Sequence, residues 1–430
     1  MEEAILKNRY INALVNFIKN HKDNYKSLLL KDPYKLRNIK SCSWHPNWYM
    51  FTYSLSNSDL NNDIVRACRG IVLYINEKEV KPVSVPYTKF FNYGEEVGKD
   101  IKDLIDWTKA KISLKIDGIL IKTACIEENG EKHLYFFTNG SFDLNIPFGD
   151  SFVFDEVETR GMKTYGELLS YALKKVDNSI NIFFNKEIGS FYITGGWADK
   201  IPLNSTLLFE LVSPRNKIIC QYKETKLYLH GYRDPDLIEH DPHEIDFNLK
   251  FDLPEIFDAS NFEDIKKIID TFNGIEKEGC VVVDYTNIET PRMKIKCQSY
   301  LKEKFSQDTL ANNQIIFKSV IFDEIDDLVS NVPATAHKVE EFKSKLIKFK
   351  EWFLSEITKT KEVCKSNNKV ENKKALALWC KGKIAKELMP YYMMMTDSNP
   401  EEKFDNKLKA LALQKHCYEI FTKVLEQLNI

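Results

Sequence analysis

The sequence predicts an α+β protein that ends in an all-α part, and three observations carry this. Short runs of alternating apolar and polar residues, rich in β-branched and aromatic side chains, recur from about residue 50 to about residue 300, which is the pattern of half-buried strands. Helical or irregular pieces separate them, notably 160–180 and 258–272. After about residue 305 the strand pattern stops and only helical periodicity remains,. A chain of 430 residues, 43% of them hydrophobic, can bury more than one core, so two domains are expected, 1–305 and 306–430,.

The N-terminal "MEEAILKNRYINALVNFIKNHK" has helical periodicity, and charges every few residues exclude a signal peptide,. Strand-like runs follow: "GIVLYI", "SLKIDGILIKTACI", "HLYFFT", "TLLFEL", "KLYLHGY", "GCVVVDY" and "RMKIKC". In the second domain "EFKSKLIKFKEWFLSEI" places Phe342, Leu346, Phe349 and Phe353 at helical spacing, and "KALALWCKGKIAKEL" and "LALQKHCYEIFTKVLEQL" behave likewise,. "YYMMM" reads as core packing rather than a ligand box.

Charge is distributed unevenly. Residues 331–430 hold 19 lysines, no arginine and 13 acidic residues, an excess of +6, so the first 330 carry −8 of an overall −2. Such asymmetry fits a basic module for a polyanion, although a lysine-rich solvated helical face gives the same count. Nine cysteines without a C-x-x-C pair indicate neither a disulfide framework nor a zinc knuckle, which points to a reducing, cytoplasmic setting,. No run approaches the roughly 20 apolar residues of a membrane span. "GEEVGKD" is one residue too short for a phosphate-binding P-loop,. "EHDPHE" reads as a polar surface turn rather than a metal site,.

The stretch "ISLKIDGILIK" interrupts a strand with Lys115, Asp117 and Gly118, a K-x-D-G pattern. A lysine there is either a snorkelling surface residue or a placed reagent. "RACRGIVL" and "KFFNYGE" come before it, and "LLFELVSPRNKII", "EKEGCVVV" and "RMKIKCQSY" after it, in that order and mostly on expected strands. With this company the sequence resembles the covalent nucleotidyltransferases, and among them the phage-type RNA ligase 1 family of tRNA-repair ligases, over nearly its whole length.

The resemblance implies a nucleotidyltransferase (ATP-grasp-like ligase) domain of antiparallel sheets flanked by helices, followed by a small all-α domain that selects RNA. It implies an ATP-dependent RNA ligase that joins 5′-phosphate and 3′-hydroxyl ends through lysyl-AMP and RNA-adenylate, with nicked tRNA as substrate and Mg²⁺ (or Mn²⁺) as cofactor. Lys115 would be the nucleophile; a lysine must lose a proton to attack, which nearby cations and desolvation favour. Lys294 and Lys296, two apart on one strand, would share a face and neutralise the α-phosphate. Glu278 matches the carboxylate that assists metal and reaction centre, and Glu210 the one that binds the ribose. Arg69 and Lys89 would hold phosphates. Phe91 and, more loosely, Tyr53 match nucleotide contacts, though core packing is the slightly favoured reading of Phe91. Tyr300 falls on a tyrosine needed for ligation, and Asp326 with Asp327 on an acidic pair linked to magnesium, for which a helix-surface pair is as good a reading.

One departure stands out: where relatives carry a lysine before the Gly-Ser after the nucleophile strand, "FTNGS" has Asn139. Segments 142–204 and 233–272 look longer than in relatives and have no assigned role. A monomer is expected, with an end-healing kinase or phosphatase as a possible partner. The rivals are a DNA ligase or capping-type enzyme, whose OB-fold would follow the "KIK" strand, and a catalytically silent RNA-binding protein on the same fold.

Overall fold

In the computed structural model the described residues are 8–55, 58–95, 98–148, 154–216, 218–245, 250–304, 313–331, 335–366, 386–395, 399–412, 417–428 and 430, with backbone alone for 327, 330, 331 and 361–366. The chain divides into two compact units, residues 1–304 and 305–430.

The first unit opens on the helix Arg9–Asn20, capped by the Asn8 side chain, which accepts from the Tyr10 and Ile11 N–H groups. That helix buries Tyr10, Ile11, Leu14, Val15 and Ile18, the i, i+3, i+4 set of one face,. Strands β1 (Asn38–Ser41), β2 (Trp48–Thr52), β3 (Arg69–Ile75) and β4 (Val80–Ser84) then form an antiparallel sheet in sequential order. The remaining strands are β5 (Phe91–Asn92), β6 (Lys111–Leu114), β7 (Ile119–Glu128), β8 (Glu131–Thr138), β9 (Asn181–Asn185), β10 (Ser190–Thr194), β11 (Thr206–Val212), β12 (Lys226–Arg233), β13 (Glu239–His240), β14 (Ile256–Phe257), β15 (Gly279–Val283) and β16 (Arg292–Lys296). They build a seven-stranded sheet in the order β13-β12-β11-β7-β8-β10-β9 and a five-stranded sheet in the order β14-β6-β15-β16-β5. The named pairs are antiparallel except β16 with β5.

Local chemistry explains several of these joints. β7 and β8 form a hairpin across Asn129 and Gly130, both at positive φ, the backbone of a type I′ turn,. The helix Tyr165–Val176 starts on a capping box between Thr164 and Glu167 and packs Leu168, Leu169, Ala172 and Leu173 into the core of the seven-stranded sheet,.

In the five-stranded sheet Ile112, Cys280, Val282, Met293 and Ile295 enter the core shared with the N-terminal helix. The alternate residues face the other way, and Ser113, Lys115, Val281, Val283 and Arg292 line a cleft there,.

The second unit is helical among its described residues: Asn313–Phe322, Ile325–Asn331, Ala336–Ser366, Met389–Met394, Pro400–Ala412 and Cys417–Glu426. Phe342, Phe349 and Phe353 are buried, and Phe349 contacts the rings of Trp352, Tyr391, Phe404 and Phe421. Tyr391, Tyr392 and Met395 of "YYMMM" are buried as well. Most of "KALALWCKGKIAKEL" lies outside the described residues. The expectation of antiparallel sheets with helices is met. No helix among the described residues is long and apolar enough to cross a membrane.

Candidate active site

Lys115 directly follows β6, and its N–H donates to the Gly279 carbonyl at 2.8 Å. Gly279 in turn pairs with Lys296 across β15 and β16. A side chain at Gly279 would begin 2.1 Å from the Ile295 carbonyl oxygen, which accounts for glycine after Glu278. Lys115 Nζ and Lys296 Nζ then reach opposite oxygens of one carboxylate: Glu278 Oε2 lies 2.8 Å from the first and Oε1 2.8 Å from the second. Glu278 is 2% exposed and Lys115 23%. Burial pushes the Glu278 carboxyl up, but the two ammonium groups and their hydrogen bonds outweigh it and hold it below the ordinary glutamate value,.

Asp117 ties down the segment that follows Lys115. Its Oδ2 accepts from the Ile219 and Cys220 N–H groups at 2.9 and 2.8 Å, and its Oδ1 accepts from Tyr300 Oη at 3.2 Å. Burial, reinforced by the Glu278 charge, pushes the Asp117 carboxyl up to about 6. Gly118 sits where β11 passes closest: a side chain would begin 2.6 Å from the Leu211 carbonyl and 2.9 Å from Glu210 Cγ. Its N–H donates to Glu210 Oε1 at 3.2 Å. The K-x-D-G pattern thus supplies a lysine on the cleft wall, an anchoring carboxylate and a point of close approach.

The cleft has a volume of about 270 Å³. Lys115 is on one wall, Glu210 and His230 come from the seven-stranded sheet, and Arg69 and Arg292 bring two guanidinium groups among Tyr87, Phe90 and Tyr285. Arg69 lies 5.1 Å from the Phe90 ring centroid, and its buried Nη1 has no hydrogen-bond partner among the described residues. Arg292 stacks 3.7 Å from the Tyr87 centroid and pairs with Glu239, which also takes Arg233 at 2.9 Å. Behind Arg69, Lys122 is fully buried on β7 and donates to the Thr138 carbonyl at 2.9 Å. Burial and the Arg69 charge lower the Lys122 amine well below its usual value.

Lys115, Glu278, Lys296, Glu210 and Arg69 thus meet at or beside one cleft, and Tyr300 joins through Asp117. Lys294 lies opposite Val281, a cleft residue, on the face of β16 that carries Lys296. Other expected residues of the first unit sit elsewhere. Lys89 is buried 5.0 Å from the Phe91 ring, Phe91 is fully enclosed in the core, and Tyr53 packs against that core. Asp326 is in the helix Ile325–Asn331 of the second unit, and the Asp327 side chain lies outside the described residues. Asn139 meets Gly70, where a side chain would begin 2.2 Å from its carbonyl oxygen. Glu239, read from sequence as part of a surface turn, is buried because Arg233 and Arg292 neutralise it. No group of three or more His, Cys, Asp or Glu side chains suited to a metal occurs among the described residues.

Sequence reasoning missed His230, Tyr87, Arg292 and Lys122. Arg292 had a signal, since it continues the two-residue period of Lys294 and Lys296. The other three had none.

A family model described as RNA ligase matches residues 67–310, a span that holds Lys115, Glu210, Glu278, Lys294 and Lys296. Among curated proteins, an RNA ligase of Rhodothermus phage RM378 is 26% identical over 210 residues, which cover 45% of this chain and 43% of that protein. The match thus spans less than half of the relative. Among solved structures, an apo lysine-to-alanine mutant of an RNA ligase from Naegleria gruberi aligns with a TM-score of 0.32 at 14% identity, over 51% of this chain and 59% of that one. That likeness is too slight to carry an argument.

Proposed function

The chain belongs to the phage-type RNA ligase family, and from this premise we propose that it is an ATP-dependent ligase that joins RNA 5′-phosphate and 3′-hydroxyl ends, with Lys115 as the nucleophile. The observation that carries the reading is the buried Glu278 carboxylate held between Lys115 and Lys296, each at 2.8 Å. A solvated strand lysine has no reason to share a buried carboxylate with a second lysine. Such a buried arrangement costs desolvation, and it places an amine at the mouth of a nucleotide-sized cleft.

Three steps follow. The Lys115 ammonium, 23% exposed, loses one proton to solvent, and the resulting amine attacks the α-phosphorus of ATP; a P–N bond forms, the bond to the β-phosphate oxygen breaks, pyrophosphate leaves with the electron pair, and the nitrogen releases its second proton to water. An RNA 5′-phosphate oxygen then attacks the same phosphorus, and the P–N bond breaks as Lys115 takes a proton back. Finally an RNA 3′-hydroxyl attacks the activated 5′-phosphate and AMP departs. Lys296 and Lys294 neutralise charge on the phosphates, Arg69 supplies a forked donor, and Glu210 takes the ribose.

Once Lys115 carries AMP through a P–N bond it is no longer an ammonium, and Glu278 Oε2 loses that partner. The freed oxygen fits a divalent cation, since Mg²⁺ needs only one or two carboxylates beside substrate phosphates and water. Mg²⁺ or Mn²⁺ would be held by Glu278 and would supply positive charge that neutralises the phosphates.

Nicked tRNA is the proposed substrate, with the lysine-rich helical unit as its platform through shape and phosphate contacts. A capping enzyme or DNA ligase is disfavoured because the described residues after 304 are helical rather than OB-like. A silent RNA-binding protein is disfavoured by the convergence of Lys115, Glu278 and Lys296. The test is to incubate the protein with α-labelled ATP or GTP and a divalent cation. The reading expects a covalent adduct from ATP that survives alkali and is released by acid, as a P–N bond is. It also expects sealing of a 5′-phosphorylated RNA. No adduct, or one from GTP alone, would defeat it.

A further inference from the structure

The cleft contains a histidine that the three steps leave unused. Leu208 pairs with Gly231 and Phe209 with Leu229, so His230 is the extra residue of a β-bulge in β12. A bulge bends its strand and re-aims a side chain, and His230 lines the cleft beside Glu210.

The hydrogen positions around it follow from geometry. Tyr87 Oη lies 2.7 Å from the His230 carbonyl oxygen and 2.8 Å from His230 Nδ1. Two oxygens that close need a hydrogen between them, and only the phenol has one, so Tyr87 donates to the carbonyl. Nδ1 must then carry a hydrogen and donate to Tyr87 Oη. The neutral ring is left with a bare lone pair on Nε2. Nε2 is buried, lies 3.4 Å from Glu210 Oε2 and makes no hydrogen bond among the described residues, so in the neutral ring its lone pair is open to a donor. The approach is tight: a side chain at Gly231 would begin 2.0 Å from Tyr87 Oη.

Two acceptors therefore stand side by side, the Glu210 carboxylate and His230 Nε2. Adjacent hydroxyl groups are the complementary donors. Resting on the nucleotidyl-transfer reading, we propose that Glu210 and His230 together clamp the 2′,3′-diol of the nucleotide ribose, each accepting from one hydroxyl, with Tyr87 fixing the His230 tautomer. His230 would then determine specificity for a ribonucleotide.

The experiment compares rates of label transfer to the protein from α-labelled ATP, 2′-deoxy-ATP and 3′-deoxy-ATP at subsaturating concentration. For the wild type, each missing hydroxyl should cost about tenfold or more, because a buried acceptor is left unpaired. His230→Leu, confirmed folded by its melting curve, should abolish one of the two discriminations and leave the other. Tyr87→Phe should weaken that same one, since the Nδ1 hydrogen loses its acceptor. Both discriminations intact in His230→Leu, or an equal loss with all three nucleotides, would overturn the clamp. If His230→Leu fails to fold, Tyr87→Phe decides, and an unchanged pattern overturns it. A wild-type protein that takes no label from any nucleotide would instead defeat the nucleotidyl-transfer reading, and the clamp with it.

Discussion

Replacing Glu278 with Gln removes the charge that Lys115 and Lys296 share and leaves two ammonium groups facing a neutral amide. One of its two oxygen positions becomes an NH₂ group that can only donate, so one lysine confronts a donor. Breaking a buried ion pair costs about 3–5 kcal/mol, and because Lys115 is 23% exposed the lower end applies, ~3 kcal/mol. For a unit of this size that lowers the melting temperature by roughly 6 °C. The sign against pH is fixed by the direction of the shift. The Glu278 carboxyl is held below its ordinary value, so its stabilisation is present above the unfolded glutamate pKa of about 4.3 and is lost as pH falls through the lower folded value. Wild type and variant should therefore differ by the full amount at pH 8 and converge in acid. Adduct formation should fall by about 10²-fold or more, as for removal of a group that orients a nucleophile. Melting curves from pH 3 to 8 and a labelled-ATP time course test both halves. Equal melting at pH 8, with an unchanged adduct rate, would refute the bridge between the two lysines.

Other outcomes follow from the same geometry. Asp117, with its carboxyl pushed up to about 6, stabilises the fold fully below the unfolded value and loses that contribution as pH rises through 6. Asp117→Asn should thus gain on the wild type by ~2.4 kcal/mol between pH 4 and pH 8 in urea titrations; a constant difference would contradict the burial argument. Lys122→Met should raise the melting temperature at pH 7 and lose that advantage toward pH 10.5, because the unfolded lysine binds a proton that the buried amine does not,; destabilisation at pH 7 would show that the amine is held charged. A chain ending in the 330s should keep its adduct but bind tRNA more weakly and with a shallower salt dependence, since it loses the excess of +6,. Unchanged tRNA affinity in a filter-binding titration would assign the helical unit another role.

What was legible in the sequence had a period. In "RMKIK" the alternation sends Met293 and Ile295 to the core and Arg292, Lys294 and Lys296 to the other face, and the two glycines of K-x-D-G and "EG" mark places where backbones touch. His230 was illegible because a bulge breaks the parity on which such reading depends. Glu239 was illegible for another reason: its polar neighbours suggest solvent, while the arginines that neutralise it come from two other points in the chain. Lys122 stands among alternating strand residues like a surface lysine, and nothing local says that its end of β7 is covered. Lys89 shows the limit of matching by position, since it turns into packed interior rather than the cleft, whereas Phe91 fills the core as its apolar ring favours.

The central claim is that Lys115 carries the nucleotide. The most direct measurement is to incubate the protein with ATP and Mg²⁺, digest it in alkaline buffer, and locate AMP on a peptide by mass spectrometry. The account predicts AMP on Lys115, and none in Lys115→Ala or in Lys115→Arg, whose guanidinium stays protonated and is no nucleophile near neutral pH. AMP on a different residue, or an undiminished adduct in either variant, would contradict it.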